Sequence, residues 1–433
     1  MSEPRLFAVV GDPIAHSRSP LIFEHLFRRG GLDAAYLRLA SPSAAAALES
    51  ASSMSLAGLN VTAPFKQEIA GRLDGLLGPA AALSAANTVV KGDAGWIGHN
   101  TDVDGVLKPL IKRRIDLAKR RVIILGAGGA AQAALYAVRN AGAERILLAN
   151  RSPGKARRLA AQWGCESGTI EAALKSLGRR DVVISCLPLS LTELAGFSPS
   201  AGAVVLQADY RSPGPAGHAD FISGLEWLFY QAVSAFGIFT GLDIPPRTLS
   251  PLLADLFQME PRAKPHVAFM GFMGSGKTTL GRMLAEKLGW EFLDTDSLIE
   301  EQAGRTIPRI FRDQGETTFR DRERGVVHQA VGGSPRRVIA LGGGAVLDEA
   351  NRALIRDRCW MVWLWVSARV AVQRIDPRTR PLLNAPHPAE AAAEILRSRI
   401  PVYARTCDLV VDTETVSVKE AVERVHHEMD QAF

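Results

Sequence analysis

The segment Gly271–Thr278, GFMGSGKT, constrains the fold of this chain more than any other. It fits the pattern G-x-x-x-x-G-K-[ST], follows the apolar run HVAFM and precedes a segment whose leucines recur on one helical face. In that context the glycines let backbone N–H groups surround phosphate oxygens, and the helix N-terminus adds positive potential. We therefore predict a nucleoside-triphosphate site in which Lys277 reaches the β- and γ-phosphates and Thr278 ligates Mg²⁺. The residues predicted to bind the nucleotide are Gly274, Ser275, Gly276, Lys277, Thr278 and Thr279.

This loop begins more than halfway along a chain of 433 residues, and such a length has room for two or three domains. The best boundary is Gln258–His266, QMEPRAKPH, which has two prolines, mixed charge and no periodic apolar face. Apolar runs such as RVIILG, RILLAN, RVIALG and MVWLWV alternate with helical patterns on both sides of that boundary. The alternation predicts an α/β fold of parallel sheets covered by helices.

Net charge and apolar runs limit the partners. The net charge of +6 is compatible with nucleic acid or with small anions, but no run of five like charges and no Lys/Arg-rich arm occurs, so we expect no nucleic-acid partner. The run Cys359–Val366, CWMVWLWV, is too short to span a bilayer and is typical of a buried strand. The start has no signal-peptide pattern, and the cysteines form no C-x-x-C pair, so we expect a cytoplasmic protein with reduced thiols and no membrane partner.

Acidic, glycine-rich and arginine-bearing stretches follow the phosphate loop. FLDTDSLIE places two acids after a predicted strand, GETTFRDRER supplies Arg320 and Glu323, and LGGGAV follows another strand. RTRPLL and RSRIPVYA add further arginines. Arginine is suited to a bidentate grip on a carboxylate. These stretches predict a small phosphate acceptor that carries both hydroxyls and an anionic group. Their candidate residues are Asp294, Asp296, Arg320, Glu323, Gly343, Gly344, Arg380 and Arg399.

From Val267 to about Thr413 the chain resembles shikimate kinase, in the phosphate loop and in D-T-D, G-E-x-x-F-R-x-x-E, G-G-G, R-P-L-L and R-x-P-x-Y. The resemblance implies MgATP and shikimate as substrates. It implies that Asp294 ligates Mg²⁺ or orients one of its ligands, and that Asp296 binds the acceptor hydroxyls and accepts a proton.

The same resemblance assigns roles to the remaining candidates. Arg320 and Arg399 would clamp the carboxylate, and Glu323 would orient Arg320. Gly343 and Gly344 would lie against the ring. Arg380 would sit on a lid over the transferring phosphate, where it would act with Lys277.

A second glycine-rich turn lies in the first half of the chain. In VIILGAGGAAQAAL, Gly126-x-Gly128-x-x-Ala131 follows a strand and opens a helix, which favours dinucleotide binding. The next strand ends without the acid that would hold the ribose 2′-hydroxyl of NAD, and two cations suit a 2′-phosphate instead. We therefore predict NADP(H), bound by Gly126, Gly128, Gly129, Ala130, Asn150, Arg151, Ser152 and Lys155.

Three N-terminal stretches carry further polar groups: GDPIAHSRSP, GLNVTAPFKQEIA, and the pair AANTVV and GHNTDVDG. Hydroxyls and amides can bind a polyhydroxylated ring, and a lysine facing an aspartate can pass a proton to a carbonyl as hydride arrives. Residues 5 to about 255 resemble shikimate dehydrogenase, above all in N-V-T-x-P-x-K, N-T-D and S-x-S-P. The resemblance implies Lys66 as acid/base and Asp102 as its partner. It implies a substrate site of Ser17, Ser19, Thr62, Asn87, Asp102 and Gln231.

The chain departs from the dehydrogenase pattern at three places around the expected nicotinamide pocket. Cys186–Ser190, CLPLS, stands where N-A-T and a glycine are usual; Asp209-x-x-Ser212 replaces D-x-x-Y; and Gly224-Leu225-Glu226 replaces G-L-G. These departures leave the acid/base pair intact.

The sequence thus predicts a two-lobed α/β dehydrogenase with a Rossmann-type NADP lobe, followed by a P-loop α/β kinase. The expected boundaries are 1–105 for the substrate lobe, joined by helices at about 238–257, 106–237 for the NADP lobe, 258–265 for a linker and 266–433 for the kinase. The expected function is reduction of 3-dehydroshikimate to shikimate and then phosphorylation of shikimate. The alternatives are a ligand-responsive regulator with a degenerate dehydrogenase unit and an NAD-dependent quinate/shikimate dehydrogenase fused to the kinase.

Overall fold

A computed structural model describes residues 4–194, 197, 202–211, 220–258, 264–333, 336–376, 381–383 and 386–432. The strands are β1 Arg5–Gly11, β2 Ala34–Ala40, β3 Gly58–Val61, β4 Gly75–Leu76, β5 Thr88–Gly92, β6 Gly95–His99, β7 Val122–Leu125, β8 Ile146–Ala149, β9 Glu166–Gly168, β10 Val182–Ser185, β11 Val204–Gln207, β12 Phe221–Ile222, β13 His266–Gly271, β14 Glu291–Asp294, β15 Arg337–Ala340, β16 Cys359–Trp365 and β17 Leu409–Asp412.

The helices are α1 Ser19–Arg29, α2 Ala44–Ser53, α3 Lys66–Ala70, α4 Pro79–Leu83, α5 Asp102–Lys112, α6 Gly129–Asn140, α7 Pro153–Trp163, α8 Ile170–Lys175, α9 Gly224–Thr240, α10 Pro246–Gln258, α11 Lys277–Leu288, α12 Thr295–Ala303, α13 Ile307–Val331, α14 Glu349–Arg358, α15 Ala368–Arg374, α16 Pro388–Thr406 and α17 Val418–Ala432. Short 3₁₀ segments occur at Leu117–Lys119, Leu191–Glu193, Ala345–Leu347 and Pro381–Leu383. Within the described part of the chain, no helix combines the length and the apolar character that crossing a bilayer requires.

The chain divides into two compact units. One unit consists of Met1–Pro20, Asp33–Ala57 and Glu260–Phe433, and the other of Leu21–Leu32 and Gly58–Met259. The predicted domain boundaries rest on a different criterion, the order of motifs along the sequence, and they stay a prediction. Residues 259–263 of the predicted linker lie outside the described residues.

Parallel strands form the sheet of the first unit. The strand order is β14-β15-β13-β16-β17-β2-β1, and every neighbouring pair is parallel. All residues of β13, β16 and β17 are buried, as expected for strands covered by helices on both faces. The apolar run CWMVWLWV is therefore a central strand, which confirms its interpretation from the sequence.

The carboxyl ends of three of these strands meet at one edge of the sheet. Asp294, the last residue of β14, is level with Ala340, the last residue of β15, and Ala340 is level with Phe269 in β13. The phosphate loop follows β13, and the Gly342–Gly344 turn follows β15. The register of the sheet therefore brings together the predicted nucleotide and acceptor residues.

The second unit contains a parallel sheet of order β12-β11-β10-β7-β8-β9. Apolar side chains pack on both of its faces, in one cluster that includes α6 and α7 and in another that includes α8. This arrangement confirms the α/β fold with a Rossmann-type parallel sheet.

A smaller set of strands in the same unit has the order β3-β5-β6-β4, in which β5 is antiparallel to both β3 and β6. The parallel pairing expected from the alternation of strands and helices is therefore wrong here. The reason is local: Gly92 is paired with Gly95, so β5 and β6 are joined by two residues, and so short a connection can only produce an antiparallel hairpin.

Candidate active sites

A cavity of about 260 Å³ opens at the carboxyl edge of the first unit's sheet. It is lined by the phosphate loop, the end of β14, helix α13, the glycine turn after β15 and helix α16. The predicted residues that the structure brings to this cavity are Gly274, Gly276, Lys277, Thr278, Thr279, Asp294, Asp296, Arg320, Glu323, Gly343, Gly344 and Arg399. Ser275 is fully buried within the loop, and Arg380 lies outside the described residues.

The phosphate loop has the backbone geometry that its glycines permit. Gly274 and Gly276 have φ of +76° and +89°, and a Cβ on Gly274 would lie 3.0 Å from the carbonyl oxygen of Ala371. Lys277, the first residue of α11, donates from Nζ to the carbonyl oxygens of Gly271 at 3.0 Å and Phe272 at 3.1 Å. The ammonium group is thus folded back over the loop, beside the helix N-terminus, where an anion is favoured.

Thr278 and Asp294 place oxygen atoms side by side in the lining of the cavity. Thr278 Oγ1 donates to Asp294 Oδ2 at 2.6 Å, and Asp294 Oδ1 caps α12 by accepting from the backbone N–H groups of Asp296 and Ser297. Mg²⁺ takes hard oxygen ligands and is commonly held by one or two protein groups together with phosphates and water. This pair of oxygens fits such an ion. The described residues contain no cluster of three or more His, Cys, Asp or Glu suited to a metal.

Two guanidinium groups also line the cavity. Arg320 pairs with Glu323 at 2.7 Å and with Glu316 at 3.0 Å. Burial raises the pKa of Glu323, whereas the Arg320 charge opposes that change. Arg399, which is 6% exposed, donates from Nη1 to the carbonyl oxygen of Gly343 at 3.1 Å. Glu323 is 2% exposed, so its carboxylate is a fixed support for Arg320 rather than a solvated partner.

Close approach of side chains explains the G-G-G turn. A Cβ on Gly342 would lie 2.5 Å from Oδ1 of Asp296, and a Cβ on Gly344 would collide with the guanidinium of Arg320. Larger residues would therefore displace the acid and the arginine that the cavity presents.

One residue behind the cavity and two that line it were not predicted as site residues. Tyr403 donates its hydroxyl to the carbonyl oxygen of Gly343 at 2.6 Å and so fixes the glycine turn together with Arg399. Phe311 and Phe319 lie with ring centroids 4.7 Å apart and line the cavity. The signals were present in the sequence, because Tyr403 ends R-x-P-x-Y and Phe319 precedes Arg320.

The second unit contains the predicted acid/base pair. Lys66, the first residue of α3, and Asp102, the first residue of α5, form an ion pair of 2.5 Å between Nζ and Oδ2. Asp102 is 4% exposed, and Lys66 is partly buried. The pairing holds Nζ of Lys66 at a fixed position.

Asn87 extends the pair into a network. Its Nδ2 donates to Oδ1 of Asp102 at 3.0 Å and to Oε1 of Gln231, on α9, at 2.9 Å. Its Oδ1 accepts from the backbone N–H of Thr101 at 2.7 Å. The predicted substrate residues Asn87, Asp102 and Gln231 are thus brought together with Lys66. Thr62 is half-buried in the turn before α3, where its carbonyl oxygen accepts from Phe65.

Ser17 and Ser19 belong to the first unit. They lie where the loop after β1 enters α1 and are 6% and 5% exposed. The backbone N–H of Ser19 donates to Oγ of Ser17 at 3.3 Å, and Tyr36 hydrogen-bonds with the Ser19 side chain.

The predicted dinucleotide turn lies at the carboxyl ends of β7 and β8. Gly126 has φ of +113° and donates to the carbonyl oxygen of Ala149 at 2.8 Å. Helix α6 begins at Gly129, and a Cβ on Gly128 or Gly129 would have no neighbour within 4 Å. The N-terminus of α6 is therefore free of neighbouring protein atoms, which leaves room for the pyrophosphate of a dinucleotide. Ala130 is half-buried in the first turn of the helix.

The N-R-S stretch follows the adjacent strand. Asn150 donates from Nδ2 to the carbonyl oxygen of Ser152 at 3.4 Å, while the side chains of Arg151, Ser152 and Lys155 are exposed. No acid stands at the end of β8, so the charge at this position is positive. Such a donor set fits the 2′-phosphate of NADP(H) better than a free ribose hydroxyl.

Two of the departures from the dehydrogenase pattern lie within the described residues. Cys186 follows β10 beside Gly126 and donates its backbone N–H to Leu125 at 2.8 Å. Burial, and next the charge of Asp102, raise the pKa of its thiol, while Lys66 lowers it. The raised pKa keeps the thiol neutral at physiological pH. Because the charges of both Asp102 and Lys66 act on it, the thiol lies near that pair.

Glu226 occupies the position of the third departure. It is 7% exposed and forms a bidentate pair with Arg113 at 2.7 and 2.9 Å, which ties α9 to α5. A Cβ on Gly224 would lie 2.6 Å from the carbonyl oxygen of Ala208, so the glycine at that position remains necessary. Ser212 lies outside the described residues.

Comparison with known proteins agrees with this division of sites. Family models match residues 9–89 as shikimate dehydrogenase substrate binding domain, 109–191 as shikimate / quinate 5-dehydrogenase and 273–430 as shikimate kinase. The shikimate kinase of Moorella thermoacetica is 45% identical over 150 residues, which is 34% of this chain and 85% of the relative. The shikimate dehydrogenase (NADP(+)) of the same organism is 34% identical over 275 residues, which is 58% of this chain and 92% of the relative.

A solved structure covers the same N-terminal part. The shikimate 5-dehydrogenase of Thermus thermophilus, crystallised with NADP(H) and shikimate, is 28% identical with a TM-score of 0.52, and the match covers 58% of this chain and 99% of that one. The chain therefore belongs to two families, the shikimate dehydrogenases in its N-terminal part and the shikimate kinases in its C-terminal part.

Proposed function

We propose that the chain is a bifunctional enzyme that reduces 3-dehydroshikimate to shikimate with NADPH and then phosphorylates the shikimate 3-hydroxyl with MgATP. The observation that carries this proposal is the coexistence of two groups of polar side chains in one chain. One is the Lys66–Asp102 pair with its asparagine and glutamine partners, and the other is a cavity that combines a phosphate loop with two arginines.

In the first reaction Lys66 donates a proton to the carbonyl oxygen of the substrate. When bound, NADPH supplies the hydride to the carbonyl carbon, and MgATP supplies the phosphoryl group of the second reaction. Asp102 holds the amino group in place, and Lys66 takes a proton from solvent after each turnover. Asn87 and Gln231 orient the substrate hydroxyls with their amide groups.

The residues around Gly126 would bind the dinucleotide. Gly128 and Gly129 leave the N-terminus of α6 free for the pyrophosphate. Arg151 and Lys155 would pair with the 2′-phosphate. This assignment rests on the exposed positive charge and on the lack of an acid at the end of β8.

In the second reaction the oxygen of the shikimate 3-hydroxyl attacks the γ-phosphorus, and the bond from that phosphorus to the β-phosphate oxygen breaks. Asp296 accepts the proton that the hydroxyl loses. Arg320 and Arg399 would hold the shikimate carboxylate, and Lys277 would stabilise charge on the phosphate oxygens. Thr278 and Asp294 would hold Mg²⁺. The work of the protein in such a transfer is mainly positioning and charge stabilisation.

A coupled assay tests the proposal. Purified full-length protein receives 3-dehydroshikimate, NADPH and MgATP, and the oxidation of NADPH and the formation of ADP are followed separately. We expect NADPH to be oxidised first and ADP to appear as shikimate accumulates, and we expect shikimate with MgATP alone to yield ADP. Failure of either reaction with its own substrates would refute the corresponding half of the proposal.

A further inference from the structure

A side chain from the kinase-matched region binds the backbone of the loop that precedes α1. Oε2 of Glu428, on α17, accepts from the backbone N–H groups of Ile14 at 2.8 Å and Ala15 at 2.7 Å. Glu428 falls within the shikimate kinase match, residues 273–430, whereas Ile14 and Ala15 fall within the dehydrogenase substrate-binding match, residues 9–89. All three residues belong to the first compact unit.

The burial of this carboxylate shows that the contact is part of the folded structure. Glu428 is 0% exposed, and a buried carboxylate is costly unless hydrogen bonds compensate for the lost water. Two short bonds from backbone N–H groups to Oε2 supply part of that compensation, although burial still raises the pKa of Glu428. They also satisfy two backbone donors between β1 and α1, where no strand or helix partner is available.

This contact is coupled directly to Ser17. The carbonyl oxygen of Ile14 accepts from the backbone N–H of Ser17 at 2.9 Å, so the residue held by Glu428 in turn holds the serine. Ser17 Oγ accepts from the backbone N–H of Ser19 at 3.3 Å. A displacement of Ile14 would therefore move both serines.

Arg38 forms a second link between the backbone of Ser17 and the kinase-matched region. From β2, it donates from Nε to the carbonyl oxygen of Ser17 at 2.9 Å and from Nη1 to that of Asp408 at 3.3 Å. Asp408 also lies within the kinase match. The backbone around Ser17 is thus fixed on one side through Glu428 and on the other through Arg38.

We propose that Glu428 is a positioning residue for the dehydrogenase reaction: the last helix of the kinase-matched region sets the loop whose two serines bind the dehydroshikimate ring. The proposal rests on the substrate-binding role that the dehydrogenase resemblance implies for Ser17 and Ser19. It makes substrate binding by the dehydrogenase dependent on the kinase part of the same chain.

The test uses the full-length protein with Glu428→Ala, Glu428→Asp and Glu428→Gln. Dehydrogenase KM and kcat are measured for shikimate oxidation with NADP⁺, and kinase KM and kcat for shikimate with MgATP. Because Glu428→Ala removes the acceptor of both backbone hydrogen bonds, it should raise the dehydrogenase KM by about tenfold or more, with little change in kcat. Glu428→Gln retains an acceptor oxygen at the same distance and should restore most of the affinity.

Two controls separate the outcomes. Glu423→Ala, on the same helix but in an exposed pair with Lys287, should change neither reaction.

Ser17→Ala should raise the dehydrogenase KM if the loop binds substrate. A parental KM in this variant would refute the loop's role in the proposed function. An elevated KM for Ser17→Ala with parental values for Glu428→Ala and Glu428→Asp would overturn the inference alone. Equal losses in both reactions would overturn it too. Glu428→Asp, which only withdraws the carboxylate by one methylene, keeps the test decisive if Glu428→Ala does not fold.

Discussion

Lys66 and Asp102 form a 2.5 Å ion pair although they lie 36 positions apart in the sequence, and each is the first residue of its helix. Asn87 donates to the other carboxylate oxygen of Asp102 at 3.0 Å. Both oxygens of the acid are therefore engaged, and the ammonium group of Lys66 has a single defined position. This geometry is what a proton donor to a bound carbonyl needs.

Replacement of Lys66 by alanine should remove the proton donor. We expect dehydrogenase kcat to fall by about 10²–10⁴-fold, the usual contribution of a positioned acid/base group. Kinase kcat should be unchanged, because Lys66 lines no part of the phosphate-loop cavity. Steady-state assays of both reactions on the same preparation measure this, with the exposed Lys91→Ala as a control that should retain both activities. A Lys66→Ala enzyme as fast as its parent would exclude this residue as the acid.

Arg151 should determine the choice of cofactor. Because its exposed guanidinium stands where an acid would bind the NAD ribose, Arg151→Ala should raise the KM for NADPH much more than the KM for NADH. The KM values for both cofactors are measured with 3-dehydroshikimate saturating. Arg158→Ala, also exposed and on α7, is the matched control and should leave the ratio of the two KM values unchanged. Equal kcat/KM for NADPH and NADH in the parent would contradict the proposed 2′-phosphate site.

The kinase site was predictable because its parts follow successive parallel strands. Asp294 ends β14, and the phosphate loop and the G-G-G turn follow β13 and β15, which are adjacent strands of one sheet. Once the strands are recognised, their carboxyl ends must meet, and the residues after them converge. For the same reason Gly126, which follows β7, lies beside the end of the adjacent strand β8.

Contacts between distant segments could not be predicted in this way. Strand β17 pairs with β2, and Ser50 donates to the buried Asp412 at 2.6 Å, over hundreds of residues of sequence. An apolar strand pattern indicates burial but does not name the neighbour. The contact of Glu428 with the loop before α1 could not be predicted either, because an acid near the end of a charged helix normally indicates a solvated face.

Asp296 should be needed for phosphoryl transfer but not for nucleotide binding. Asp296→Asn keeps the size of the side chain and leaves Lys277 and Thr278 in place, so the affinity for MgATP should be retained while kinase kcat falls by about 10²-fold or more. Calorimetric titration of MgATP beside turnover with shikimate measures the two properties. The exposed Asp321→Asn, on α13, is the control. Normal phosphorylation by Asp296→Asn would mean that another group accepts the proton.

Arg320 should govern affinity for the acceptor. Its guanidinium pairs with Glu323 and Glu316 beside the glycine turn and lines the cavity. Arg320→Lys keeps the charge, but an ammonium group cannot make the bidentate contact with a carboxylate, so the kinase KM for shikimate should rise by about tenfold while the affinity for MgATP is unchanged. Arg324→Lys, one turn further along α13 and paired with Asp321, is the matched control and should behave as the parent does. Dehydrogenase kinetics should not respond to either change. If Arg320→Lys weakened MgATP instead of shikimate, the carboxylate site would have to be placed elsewhere in the cavity, with Arg399 as the next residue to replace.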